Sequence, residues 1–238
     1  MQKEILLKLE NASVHYGGVL ALDNATIQID EGEIVALMGP NGAGKSTIIK
    51  SIFGLASPSR GRVEWHETEV VPIPHEMVQR GISYVPQGRQ VFTRLSVKEN
   101  LEIGGYIIHN KKERNRRIEE VLDIFPDLKT KLNASAKTLS GGQQQMLVLA
   151  RGLMTDPKVL LLDEPTLGLS PKLVKQVFAK IKEINERRKT TILVVEHNLK
   201  TLLEIAHRAY VLVRGEIVAR GTGRDIEKSG ILKKVFTE

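Results

Sequence analysis

Apolar positions along this chain fall into short continuous runs more often than into strict alternation. Residues 34–38, 82–85, 159–162 and 191–195 are such runs, the pattern required of strands buried on both faces. Residues 6–16 and 25–29 alternate and predict strands of an antiparallel sheet, and 61–65 predicts another short strand. Pro72 and Pro74 mark a loop before a short helix ending near Arg80. From Ser96 to about Leu153 strand signals vanish. Stretches 97–108 and 113–125 read as helices there, the second with Ile118, Val121, Leu122 and Phe125 at helical spacing. Further helices are predicted from Ser140 to about Met154 and from Pro171 to about Arg188. The chain closes with strands over 209–213 and 217–219, a turn at Arg214-Gly215, and a helix. This order predicts an α/β fold of one domain, 1–238, with an N-terminal antiparallel part and an inserted helical subdomain over approximately 88–155.

The chemistry collects where the buried runs end. The first passes into Gly39-Pro40-Asn41-Gly42-Ala43-Gly44-Lys45-Ser46-Thr47, which fits G-x-x-x-x-G-K-[ST] and is followed by an apolar-faced helix. Gly42 and Gly44 permit backbone conformations closed to other residues and leave room for phosphate oxygens. The free N–H groups at the helix start favour an anion, Lys45 adds a point charge for the β/γ-phosphates, and the Ser46 hydroxyl suits Mg²⁺. The third run ends in Asp163-Glu164 and the fourth in Glu196-His197, at the strand ends where open α/β sheets bind ligands. Asp163 is placed to reach Mg²⁺ through its water shell. Glu164 is placed to orient or deprotonate an attacking water, and His197 to hydrogen-bond a γ-phosphate or that water. Ser140-Gly141-Gly142-Gln143 opens a helix with a second set of free N–H groups and a hydroxyl. Tyr16 ends a strand upstream of the glycine loop, where it either stacks on an adenine or packs in the core.

Bulk composition narrows this picture slightly. Hydrophobic residues are 41% and charged residues 26% of the 238, ordinary for a globular chain. No apolar run approaches the ~20 residues of a membrane helix, and the N-terminus lacks an apolar segment of secretion type, so a cytoplasmic location is expected. Zero cysteines exclude disulfides, thiol catalysis and Cys-ligated metals. The net charge of +7 raises nucleic acid or an anionic membrane as partners. Its densest run, Lys111 to Arg117, reads as a solvated helix face, and no interleaved aromatics offer a base-stacking platform.

The series GPNGAGKST, YVPQ, LSGGQ, VLLLDEP and VVEH resembles an ATP-binding cassette (ABC) ATPase over nearly the whole chain. The resemblance implies a P-loop NTPase (RecA-like) core with a mainly parallel sheet and ATP hydrolysis with Mg²⁺. It assigns Tyr16 to adenine, Gly39 to Thr47 to the phosphates, and Ser46, Gln87 and Asp163 to the metal. Gln87 also links the site to a transmembrane partner. Glu164 and His197 become the water-activating and switch residues, with Lys45 beside them. Ser140, Gly141, Gly142 and Gln143 become the signature that closes on nucleotide held by a second ATPase subunit, the same chain or a paralogue, in a head-to-tail dimer. Each chain then carries two half-sites. Ser170 departs from the family pattern, in which many members end that loop in Asp. YVPQGRQVFTRLSVKENL, LSGGQQQML and EPTLGLSP look like the ATPase subunit of a branched-chain amino acid importer, peripheral on the inner face of the membrane and bound to permease subunits. Another importer or a lipid transporter is the alternative. A nucleic-acid-associated ATPase is a further one, disfavoured by a single uninterrupted cassette. A non-hydrolysing regulator is disfavoured by Glu164 and His197.

Overall fold

The structure, a computed structural model, describes residues 4–197 and 199–237. Two long antiparallel strands come first, β1 (Ile5–Tyr16) and β2 (Val19–Asp30). They are followed by β3 (Ile34–Met38) and helix α1 (Lys45–Phe53). Strands β4 (Arg60–Trp65) and β5 (Thr68–Val70) complete the first sheet, in the order β2-β1-β4-β5. Helix α2 (Pro74–Gln79) then leads to β6 (Ile82–Val85). The next stretch holds α3 (Val97–Gly104), α4 (Lys111–Leu122), α5 (Pro126–Lys129) and α6 (Gly141–Gly152). The chain returns through β7 (Val159–Asp163), α7 (Pro171–Arg188), β8 (Thr191–Val195), α8 (Leu199–Ile205), β9 (Arg208–Val213) and β10 (Glu216–Gly221). Two short helices, α9 (Gly223–Lys228) and α10 (Ile231–Thr237), end it. The second sheet runs β10-β9-β3-β8-β7-β6, parallel except for the β9–β10 hairpin. An α/β fold with a mostly parallel sheet and an antiparallel β part is therefore what the apolar runs predicted.

Strand periodicity divides the interior in two. On β3, Ile34, Ala36 and Met38 join the core under the helices, while Val35 and Leu37 join the core between the two sheets. Leu160 and Leu162 separate from Val159 and Leu161 in the same way, and Ile192 and Val194 from Leu193 and Val195. Successive side chains point to opposite faces, so a strand covered on both sides must be apolar at every position. All five residues of β3, β7 and β8 are buried. The register β3–β8–β7–β6 brings the C-terminal ends of these strands to one edge.

Several element boundaries differ from the sequence reading. β2 begins at Val19, not Ala25, because Gly17 and Gly18 at φ 52° and 84° turn the chain directly back on β1. The helix from Val97 stops at Gly104, where a Cβ would stand 2.5 Å from the Arg151 carbonyl oxygen of α6. Glycine there permits close approach of the two helices. α4 begins earlier, at Lys111, since the Asn110 side chain accepts from the N–H groups of Lys112 and Glu113. Two arginines of its basic run are paired with acids. Arg116 lies 2.6 Å from Glu113 and 2.9 Å from Glu120, and Arg117 reaches Glu120 and Asp156. The short edge strand β5 has no counterpart in the sequence reading.

Candidate active site

Strand β3 delivers the chain into the glycine loop, and α1 leaves it. Gly44 occupies the N-cap position of α1 at φ 102°, and no side chain caps the helix, so its first N–H groups face the loop. A Cβ on Gly44 would stand 2.4 Å from the Ala21 carbonyl oxygen, which makes glycine a packing requirement as well as a conformational one. Lys45 is buried and folds its ammonium back across the loop, donating to the carbonyls of Gly39 and Pro40 at 2.8 Å each. Burial pushes the Lys45 pKa down, and the carboxylates of Glu164, Asp163 and Glu196 oppose that shift. Tyr16, Gly42, Lys45, Ser46, Thr47 and Glu164 are among the residues lining a cleft of about 210 Å³. Tyr16 is 47% exposed, so core packing is not its role.

Asp163 ends β7 with 2% of its surface exposed. Ser46 Oγ donates to its Oδ1 at 2.9 Å, and the Tyr84 hydroxyl to its Oδ2 at 3.3 Å. Burial raises the Asp163 pKa, against the Ser46 hydrogen bond and with the help of Glu164. The Tyr84 hydroxyl is also pushed up, chiefly by burial and then by the Asp163 charge.

Glu164 takes up a left-handed backbone, φ 48°, uncommon for a residue with a Cβ. Its N–H donates to the Val195 carbonyl at 2.9 Å, which ties it to the end of β8. The side chain is thereby turned toward two neighbours. Gln87 Nε2 donates to Oε2 at 2.7 Å, and His197 Nε2 lies 2.7 Å from Oε1. Glu196 is the residue that sequence reasoning left without a role. It is 2% exposed and accepts from the Thr166 N–H at 2.6 Å and the His197 N–H at 3.0 Å. One carboxylate thus fixes both the loop after Glu164 and the backbone of His197. A buried acid immediately before the histidine was the available signal.

Tyr16, the glycine loop, Gln87, Asp163, Glu164 and His197 come together. The signature does not join them. Ser140 and Gln143 form a capping box at the start of α6, with Ser140 Oγ accepting from Gln143 N–H at 3.3 Å and Gln143 Oε1 from Ser140 N–H at 3.1 Å. Ser140, Gly142 and Gln143 line a different cavity of about 380 Å³, between α5, α6 and α7. Arg89, two residues beyond Gln87, approaches the signature. Its Nη1 lies 2.2 Å from where a Cβ on Gly141 would stand. Ser170 occupies the N-cap position of α7 without a side-chain capping bond.

The sequence model of the ABC transporter family matches residues 22–167. The high-affinity branched-chain amino acid transport ATP-binding protein BraG of Pseudomonas aeruginosa is 42% identical over 92% of this chain and 93% of its own length. Among solved structures, the ADP conformation of MJ1267, an ATP-binding cassette of an ABC transporter, superposes with a TM-score of 0.87. It is 31% identical, over 97% of this chain and 96% of that one. A dimeric post-hydrolysis state of the cassette MJ0796, bound to ADP and Pi, gives 0.80 at 29% identity, over 92% and 99%.

Proposed function

The chain belongs to the ABC transporter family, and from that premise we propose that it is the Mg²⁺-dependent ATPase subunit of a branched-chain amino acid importer. The observation that carries the catalytic part is Glu164, whose carboxylate is held between Gln87 and His197 beside the glycine loop. Tyr16 stacks on the adenine, and the residues from Gly39 to Thr47 wrap the phosphates. Lys45 leaves its two loop carbonyls to meet the β/γ-phosphates. Glu164 orients and deprotonates the attacking water, and His197 steadies the γ-phosphate or that water.

The donor set fits Mg²⁺. Ser46 Oγ and Asp163 Oδ1 lie 2.9 Å apart, and with Gln87 they would hold the ion, Asp163 through its water shell; among the described residues the buried Asp163 carboxylate has no cation partner in hydrogen-bond contact. Among the described residues no group of three or more acidic, His or Cys side chains is arranged to hold a metal ion by itself. When bound, Mg²⁺ neutralises charge developing on the phosphates.

Each cassette supplies one phosphate loop and one signature, and Ser140 to Gln143 lie apart from the chain's own cleft. A head-to-tail dimer, with the same chain or a paralogue, brings the two together, with residues of approximately 88–155 forming the inserted helical subdomain. Among the described residues no helix is long and apolar enough to cross a membrane, and attachment is through permease subunits on the inner face. The surface suited to the permease is a groove of about 260 Å³ with Tyr84, Phe92, Ile103, Tyr106 and Arg151 on its walls. Phe92 and Tyr106 are 47% and 62% exposed, and Tyr84 at its base touches Asp163.

The test is reconstitution of this chain in vesicles with its co-purified membrane subunits. ATP-driven uptake of leucine, isoleucine or valine, with turnover that rises with cassette concentration, is the expected result. Uptake indifferent to all three amino acids sinks the substrate assignment. ATPase turnover independent of protein concentration sinks the composite site.

A further inference from the structure

Helix α6 opens on the signature, and one contact there comes from outside the helix. Lys131 Nζ donates to Gln143 Oε1 at 3.1 Å, the oxygen that also accepts from the Ser140 N–H at 3.1 Å. An ammonium and a backbone N–H only donate, so both bonds require the oxygen of the Gln143 amide and turn its NH₂ group away from them. The flipped amide would set two donors against an NH₂ group, so the pair of bonds admits one orientation. Among the described residues that NH₂ group has no acceptor.

Lys131 is itself held by its backbone. Its N–H donates to the Leu128 carbonyl at 3.1 Å, and its own carbonyl accepts from the Ala134 N–H at 2.9 Å, a tight turn off the end of α5. The side chain is half-buried and has no carboxylate partner among the described residues. Other lysines of this region do have one. Lys129 lies 3.1 Å from Glu119, and Lys180 lies 2.7 Å from Glu183. Gln143 is the third residue of α6, so the Lys131 ammonium stands against the first turn of a helix, where the macrodipole disfavours a cation. The arrangement is adverse in the empty chain and becomes favourable when an anion reaches that turn.

We propose that Lys131 is a positioning residue of the signature. It locks the Gln143 amide with its NH₂ group free to donate to an oxygen of the nucleotide held by the second subunit, and its charge favours that polyanion. The inference rests on the reading of Ser140 to Gln143 as one half of a composite site.

The experiment uses the complex purified with its membrane subunits. The kcat and KM for ATP are measured for Lys131→Met, Gln143→Ala, the double variant and Lys131→Arg. Lys131→Met keeps the stem and removes the donor, and its kcat/KM falls about tenfold or more, as for loss of a hydrogen bond from a charged group. Because Lys131 acts through Gln143, the double variant is no slower than Gln143→Ala alone, and Lys131→Arg recovers most of the loss. The isolated Lys131→Met chain keeps wild-type ADP affinity by calorimetry, since Lys131 lies outside the chain's own cleft, and it melts at or above the wild-type temperature. Wild-type kcat/KM in Lys131→Met overturns the proposal. So do losses that add in the double variant, or a Lys131→Arg variant as slow as Lys131→Met. A large drop in melting temperature or in ADP affinity makes Lys131 a structural residue and overturns it as well. All of these leave the composite site standing when Gln143→Ala is itself slow. Gln143→Ala with wild-type kcat/KM removes both the proposal and the signature role on which it rests.

Discussion

Replacing Asp163 by Asn is expected to make the nucleotide-free protein more stable while it removes metal-dependent function. Asp163 is 2% exposed, and its nearest donors are two neutral hydroxyls, Ser46 at 2.9 Å and Tyr84 at 3.3 Å. The amide keeps an oxygen for Ser46 and loses the longer bond from Tyr84, at a cost of at most about 1 kcal/mol. Against this stands relief of a buried charge, whose effective penalty is several kcal/mol. A net gain of about 2 kcal/mol raises Tm by about 4–8 °C in a chain of this size. The sign with pH follows from the raised pKa of Asp163. A carboxyl with a folded value above its unfolded one contributes stability below about pH 3.9, and loses it as pH rises through the folded value. The gap between variant and wild type therefore opens above about pH 4 and levels off once the folded carboxyl is ionised. Thermal melts in EDTA across this range measure it. Added Mg²⁺ and ATP then raise the wild-type Tm and leave that of the variant nearly unmoved. A variant that melts below wild type at pH 7, or a gap that does not change with pH, refutes the reasoning.

Glu164→Gln retains ATP binding and lowers turnover by about 10²–10⁴-fold, the range for loss of a general base, and accumulates an ATP-bound dimer visible by size-exclusion chromatography; near-normal turnover removes Glu164 from the mechanism. Tyr16→Ala weakens ATP binding by the ~1–3 kcal/mol of one base–aromatic contact, measured by calorimetry, with inorganic triphosphate binding unaltered. Lys45→Ala weakens nucleotide binding at least about tenfold, and unchanged affinity counts against the phosphate assignment. Gly44→Ala fails at the level of folding, because its Cβ meets the Ala21 oxygen at 2.4 Å and its φ of 102° is strained; a wild-type melting temperature contradicts the geometry.

Legibility in the sequence followed burial. β3, β7 and β8 were readable because a strand covered on both faces allows no polar interruption, and all their residues are buried. Their shared edge then placed Gly39, Asp163 and His197 together. β5 was not readable, since Thr68 and Glu69 are exposed and only pairing with β4 holds them extended. The end of α3 was hidden for another reason. Its sequence continues as Tyr106-Ile107-Ile108 with no proline, and Gly104 matters only because α6 lies against it. Within the site, motif residues stood out by type and spacing. Glu196 and Tyr84 did not, because their roles come from neighbours distant in the chain, Thr166 and Asp163.

Those two residues also show how the proposed docking groove and the proposed active site share parts. Tyr84 lines the groove and donates to Asp163. Gln87, three residues on, donates to Glu164, and Arg89 lies against the signature glycine Gly141. A single short segment, from β6 to Arg89, therefore touches the groove, the acidic strand end and the signature helix. A permease segment that shifts this segment by an ångström lengthens the 2.7 Å Gln87–Glu164 bond beyond hydrogen-bonding range while leaving the Glu164–His197 contact, anchored through Glu196, in place. Coupling of this kind needs no motion of the glycine loop. Gln87→Ala is accordingly expected to leave ATP affinity intact and to uncouple turnover from the permease. The assay is ATPase activity of the reconstituted complex with and without transported solute. Solute stimulation equal to that of the wild type refutes a role for the Gln87–Glu164 bond in coupling.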